Sequence, residues 1–112
     1  MNKKYRLKKS EDIAKLVHLH QSVGNKYYAI YYNIKNNENP KVAISVSKKF
    51  GTAVERNYEK RIVREVIRPL LKELNNLELL IVIKKEVSKI VFKEKETQIQ
   101  YLIRKIKKSR SL

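Results

Sequence analysis

The sequence predicts an α+β fold in which helices pack against a small mixed or antiparallel sheet. Three observations lead to this prediction. The spacing of apolar residues follows the order helix, strand, strand, helix, strand, helix. The chain of 112 residues, 42% of them hydrophobic, is long enough to bury one core and too short for two domains. No repeat or interior linker interrupts it, so we expect one domain over residues 1–112.

The first half of the chain predicts a helix followed by two strands. Apolar residues recur at i, i+3, i+4 and i+7 over residues 13–20, which predicts an amphipathic helix. Aromatic and branched residues from Tyr27 to Ile34 predict a strand, with Tyr27 and Tyr31 on the same face. Residues 41–48 (KVAISVSK) predict a second strand, and we expect it to pair antiparallel with the first.

A long helix then begins at a capping box. Thr52 and Glu55 have the spacing at which their side chains satisfy each other's free backbone amides at a helix start. We expect the helix to continue to about Leu74, with a bend or restart at Pro69, which has no amide hydrogen to donate.

Two further elements complete the predicted fold. The apolar run over residues 78–84 is typical of a strand covered on both faces, and residues 93–108 carry apolar residues at helical spacing. The basic leader, about residues 1–9, and the basic tail, about residues 107–112, lie outside this pattern. We expect the tail to fray.

The long helix carries one nearly unbroken cationic face. On an α-helix its polar residues fall within an arc of about 100°, and we call this set the basic stripe: Asn57, Lys60, Arg61, Arg64 and Arg68. The opposite side is apolar, with Ile62, Val63, Val66 and Leu70. Like charges at i, i+4 cost an isolated helix about 0.2–0.5 kcal/mol per pair. That self-repulsion favours a polyanion partner over a merely solvated face, which is the alternative.

Composition narrows the class of partner. The chain has 27 Lys and Arg against 11 Asp and Glu, a formal net charge of +16, which indicates nucleic acid first and an anionic membrane second. It has no cysteine, which excludes a disulfide framework and a thiolate metal site. We find no apolar run of about 20 residues and no secretory signal, so we expect a soluble cytoplasmic protein.

The central motif resembles a known family. Residues 45–65 read SVSKKFGTAVERNYEKRIVRE and are similar to the signature of the bacterial ribonuclease P protein subunit. Residues 6–9 (RLKK), Asp12 and Tyr31 fit the same family, so the resemblance covers essentially the whole chain. The sequence departs from the family in two places. Tyr58 stands where the family has a second arginine, and the first helix offers aliphatic residues where the family usually has phenylalanines.

The resemblance implies a small protein bound to a large catalytic RNA that removes the 5′ leader of precursor tRNA. It further implies that the RNA performs the hydrolysis with metal ions, magnesium being expected, and that the protein binds no cofactor or small-molecule substrate. An unusual left-handed strand-helix-strand crossover is also expected. The residues implied to bind RNA are Arg6, Lys48, Lys49, Arg56, Asn57, Lys60, Arg61, Arg64 and Arg68. The implied leader cleft contains Ile13, Val17, Tyr27 and Tyr31.

Other functions remain open at this point. A ribosomal or other structural RNA-binding protein would carry the same charge, and alternating strand tyrosines are often only core residues. A helix-turn-helix DNA binder is disfavoured because strands, and no short helix, precede the basic helix. Catalysis by the protein has little support, since His18 and His20 are two residues apart and cannot share a helix face. We predict no catalytic and no metal-binding residue.

Overall fold

A computed structural model describes residues 10–35 and 39–110, with the side chains of residues 13–35 and 39–108. The helices are α1 (Ser10–His18), α2 (Ala53–Ile67) and α3 (Phe92–Arg110). The strands are β1 (Ser22–Gly24), β2 (Tyr28–Ile34), β3 (Lys41–Val46) and β4 (Leu77–Ile83). Short 3₁₀ segments span Lys48–Phe50, Arg68–Leu74 and Lys85–Lys89. The predicted α+β class is confirmed.

The four strands form one sheet in the order β1-β2-β4-β3. β4 pairs antiparallel with β2 and parallel with β3, so the predicted antiparallel pairing of β3 with β2 is wrong. β4 is apolar at almost every position and buried at five of its seven, and a central place in the sheet covers such a strand on both faces. α2 connects β3 to β4, which makes the strand-helix-strand unit. The hand of this crossover stays an expectation from the resemblance.

β1 was not predicted, because three residues carry too little pattern to be recognised. It pairs with β2 through a tight turn in which Asn25 Oδ1 accepts hydrogen bonds from the backbone N–H groups of Tyr27 and Tyr28, at 2.9 and 3.0 Å. An Asn side chain in this position substitutes for backbone partners in a turn. β2 consequently begins at Tyr28 and leaves Tyr27 in the turn.

The sheet separates two apolar clusters. On one face β2 and β4 pack against α2 and α3 through fully buried residues that include Tyr28, Ile67 and Leu102. On the other face α1 contributes Leu16, which packs on Leu80 of β4. The core therefore fixes α2 by its apolar side, as its sequence spacing predicts, and leaves the opposite side of the helix to solvent.

The start of α2 has the predicted capping box. The Thr52 N–H donates to Glu55 Oε1 at 3.0 Å, the Glu55 N–H donates to Thr52 Oγ1 at 3.2 Å, and the first of these bonds lowers the pKa of Glu55. Gly51 leaves room for this arrangement, since a Cβ there would lie 3.0 Å from Glu55 Oε1. The other end also agrees with prediction: α2 stops at Ile67, and a 3₁₀ segment containing Pro69 follows.

The ends of the chain are only partly described. α3 is helical through Arg110, so the helix extends past residue 108, and the fraying of the tail stays a prediction. The basic leader at residues 1–9, residues 36–38 of the predicted turn, and residues 111–112 lie outside the described residues.

A buried ion pair joins α2 to α3. Lys95 Nζ lies 3.0 Å from each carboxylate oxygen of Glu59, and both residues are about 5% exposed. The nearby Tyr28 hydroxyl is buried without a hydrogen-bond partner among the described residues. Burial raises the pKa of Tyr28, and the negative charge of Glu59 raises it further. The pair therefore lies in a water-poor environment, where each charge depends on the other.

Candidate RNA interface

The basic stripe lies on the outer side of α2. Asn57, Arg61 and Arg68 are exposed, and Lys60 and Arg64 are partly exposed. Behind them Ile62, Val63 and Val66 are buried in the main core. The stripe is thus presented by a helix that is anchored along its whole apolar side, which fixes the spacing of the cations before any partner binds.

Three of the four cations of the stripe have no acidic partner among the described residues. Within the described residues, no carboxylate lies within ion-pair distance of Lys60, Arg61 or Arg64. Arg68 pairs with Glu65 at 3.3 Å, an exposed i, i+3 contact of small energetic value. The other two glutamates of α2 are otherwise engaged, Glu55 in the capping box and Glu59 with Lys95. The positive potential of the stripe is therefore available to a polyanion.

The remaining predicted cations occupy different places. Arg56 is partly exposed one helical turn before Lys60, at the margin of the stripe, and its Nε donates to the carbonyl of Thr52 at 3.5 Å. Lys48 and Lys49 are exposed in the 3₁₀ turn that leads into α2. Arg6 lies outside the described residues.

The structure places two further lysines, Lys84 and Lys85, near the predicted Lys49. Because β3 and β4 are parallel, their carboxyl ends meet at one edge of the sheet, and Lys49 and Lys85 there line a cavity of about 200 Å³. Lys84 lies beside them and donates through Nζ to the Asn25 carbonyl at 2.6 Å. Sequence analysis did not predict that β3 and β4 are parallel. Without that pairing, Lys84 and Lys85 appear only as charges at the end of a strand.

The candidate leader groove is the surface of the sheet beside α1, where α1 packs on β2, β3 and β4. Ile13 of α1 and Tyr31 of β2, both predicted for the leader cleft, belong to the same small cluster and are only partly buried. The cluster also contains residues that sequence analysis did not assign to the site, namely Leu16, Ala43, Leu80 and Val82. Its α1 residues, Ile13 and Leu16, are aliphatic, and Tyr31 is the aromatic residue of this cluster.

The groove continues past Tyr31 along the sheet. The register pairs Tyr31 with Leu80, and Leu80 with Ala43. Two residues further along each strand, the next row on this face contains only small or branched side chains, those of Ala29, Val82 and Ser45. Val17, also predicted for the cleft, is 37% exposed on α1 and does not join the cluster. Tyr27 packs against the main core instead of the groove, because it precedes β2 and does not follow the alternation of that strand.

A comparison with family models agrees with this geometry. The model described as Ribonuclease P matches residues 1–107, which is nearly the whole chain.

The chain belongs to the ribonuclease P protein family.

Curated relatives support the same conclusion. The chain is 36% identical over 104 residues to the ribonuclease P protein component of Streptococcus gordonii, an alignment that covers 93% of this chain and 87% of the relative. It is 35% identical over 106 residues to the ribonuclease P protein component of Bacillus velezensis, covering 94% and 91%. Family membership makes this chain the protein subunit of ribonuclease P and favours that function over a ribosomal one.

Solved ribonuclease P proteins share the fold. A structure from Staphylococcus aureus superposes with a TM-score of 0.84 at 24% identity, covering 92% of this chain and 95% of that one. The protein from Thermotoga maritima gives a TM-score of 0.76 at 23% identity, covering 87% and 93%. In residues 10–35 and 39–110, no helix combines the length and the apolar character that a membrane span requires.

Proposed function

We propose that this ribonuclease P subunit binds the catalytic RNA through the basic stripe of α2. The single observation that carries this proposal is a cationic helix face, held rigid by a buried opposite side, on which Lys60, Arg61 and Arg64 have no carboxylate within ion-pair distance among the described residues. Arginine forms bidentate hydrogen bonds with phosphate, and lysine adds a point charge. Each contact releases condensed counterions from the RNA, so binding depends steeply on salt.

The groove between α1 and the sheet is proposed to hold the single-stranded 5′ leader of precursor tRNA. Single strands bind to grooves that combine positive charge with planar or apolar floor residues, with little sequence preference. Tyr31 supplies a partly exposed ring, and Ala29 and Val82 leave space beside it. Lys48 and Lys49 lie in the 3₁₀ turn that follows the carboxyl end of β3.

The magnesium implied by the resemblance is not assigned to this chain. Among the described residues, no three His, Cys, Asp or Glu side chains come together where they could hold a metal ion. Magnesium binds oxygen ligands and is commonly held through phosphates, which the RNA would provide. No step of the proposal depends on a protein-bound ion.

Reconstitution tests the proposal directly. We expect the purified protein alone to leave precursor tRNA uncut, and addition of the catalytic RNA to give cleavage at a magnesium concentration where the RNA alone is slow. Cleavage by protein without RNA would contradict the assignment of the chemistry, and an unchanged rate on adding protein to the RNA would contradict the role of this chain. A ribosomal protein of similar charge is the control for non-specific stimulation.

Tyr31→Ala tests the leader groove. Loss of one base–aromatic stacking contact costs about 1–3 kcal/mol, and only a substrate that carries a leader can make it. We therefore expect the holoenzyme variant to bind precursor tRNA more weakly while its affinity for mature tRNA stays the same, as measured by equilibrium titration of both RNAs. Equal losses for the two RNAs would show that Tyr31 acts only through the fold.

A further inference from the structure

Tyr58 is an exposed aromatic residue beside the basic stripe. Its side chain is 55% exposed, and Val54, one helical turn earlier on the same face, is 78% exposed. Arg61 follows Tyr58 by three residues and is its neighbour on the helix surface. Apolar area next to unpaired cations on a rigid helix fits a ligand that has both a flat apolar surface and a negative charge.

Tyr58 contacts the protein through one part of its ring and leaves the rest open to a ligand. Lys95 Nζ lies 5.6 Å from the ring centroid, and Lys95 is buried and bound to Glu59. The ring is therefore supported from the protein side by a cation–π contact, which a buried cation strengthens. The rest of the ring stays open to solvent and is positioned before any partner arrives.

We propose that Tyr58 stacks on an unpaired nucleobase of the RNA whose phosphates bind the stripe. This inference rests on the proposed function and adds a second kind of contact to it. Unpaired bases stack on aromatic side chains in RNA recognition, and the neighbouring phosphates bind cations. At this position, where the resembling motif has a second arginine, the chain would make a contact that does not depend on salt.

Salt titrations of three variants separate stacking from charge. Tyr58→Ala should weaken binding of the catalytic RNA by about 5- to 150-fold, the value of one stacked base, without changing the slope of log K against log salt. Tyr58→Phe should bind like the parent because it keeps the ring. Tyr58→Arg should steepen the slope by about 0.7–0.9, the contribution of one phosphate contact.

Tyr101 provides a matched control on α3. It is 52% exposed, and Lys105 Nζ lies 5.3 Å from its ring centroid, but it is not on the stripe helix. Tyr101→Ala should leave the affinity unchanged. A loss equal to that of Tyr58→Ala would overturn the inference, because it would show that any exposed ring on this basic surface has the same effect.

Fluorescence gives a readout that a structural role would not change. The chain has no tryptophan, so Tyr58→Trp introduces a single fluorophore at the proposed stacking site. We expect the RNA to quench its emission, and an abasic substitution at one unpaired RNA position to abolish the quenching. Tyr101→Trp should show no quenching, and an unquenched Trp at position 58 would overturn the inference.

Arg64→Ala in the same titrations distinguishes this inference from the proposed function. If Arg64→Ala flattens the salt slope while Tyr58→Ala has no effect, stacking is wrong and the stripe still binds RNA. If neither variant has an effect, both the stripe and the stacking site are wrong. Thermal unfolding, monitored by circular dichroism, should match the parent for Arg64→Ala, whereas Tyr58→Ala should stay folded with a lower midpoint because it loses the contact with Lys95.

Discussion

Lys95→Met should lower the free energy of unfolding by about 3–5 kcal/mol, the cost of leaving one partner of a buried ion pair without its counter-charge. The variant would keep the aliphatic stem of Lys95 but leave the Glu59 carboxylate buried between α2 and α3, close to a Tyr28 hydroxyl that has no partner of its own. Urea unfolding measures the loss as a lower midpoint at a constant slope.

Two controls define the origin of that loss. Lys93→Met removes a charge from the same helix, where Lys93 pairs with Glu96 at 3.5 Å on the surface, and should cost about 1 kcal/mol or less. The double variant Glu59→Leu/Lys95→Met replaces both charges with apolar groups and should recover most of the lost stability. A double variant as unstable as Lys95→Met would mean that packing, and not the unpaired charge, causes the effect.

Removal of three cations from the basic stripe should give the largest change in RNA binding. If each of Lys60, Arg61 and Arg64 contacts one phosphate, the triple alanine variant should flatten the slope of log K against log salt by about 2–3. Alanine preserves the helix, so the change reports on the contacts and not on the fold. Filter binding or fluorescence titration of the catalytic RNA at several salt concentrations measures the slope.

A charge-matched control separates contact from the general field of the protein. Lys89, Lys93 and Lys105 are exposed lysines outside the stripe, and their triple alanine variant loses the same number of charges. We expect it to retain the parent slope to within about half a contact. If both triple variants lost slope equally, net charge alone would explain the binding and the stripe would have no special role.

The sequence predicted the elements that have a strong local pattern. The capping box at Thr52 and Glu55, the interruption at Pro69 and the two-faced burial of β4 all depend on a few neighbouring residues, and each prediction is confirmed. β1 was missed because three residues carry no period, and the pairing of β3 was wrong because adjacency in the chain does not determine adjacency in the sheet.

For the candidate site, helical spacing alone predicted which face of α2 is basic, since 3.6 residues per turn fixes the direction of every side chain on a helix. The same spacing places Glu59 on the apolar side, but it could not predict that Lys95 of α3 is the partner of its carboxylate. That pairing depends on a residue 36 positions away in the chain.

By itself the sequence determined a basic helix with one apolar side and a family signature, because these are properties of residues close together in the chain. Only the tertiary structure decided that β4 separates β2 from β3, that Lys49 and Lys85 share a cavity, and that Tyr27 lies away from the groove of Tyr31. Each of these depends on contacts between distant segments, which form when the sheet buries β4 on both faces and which no local pattern encodes.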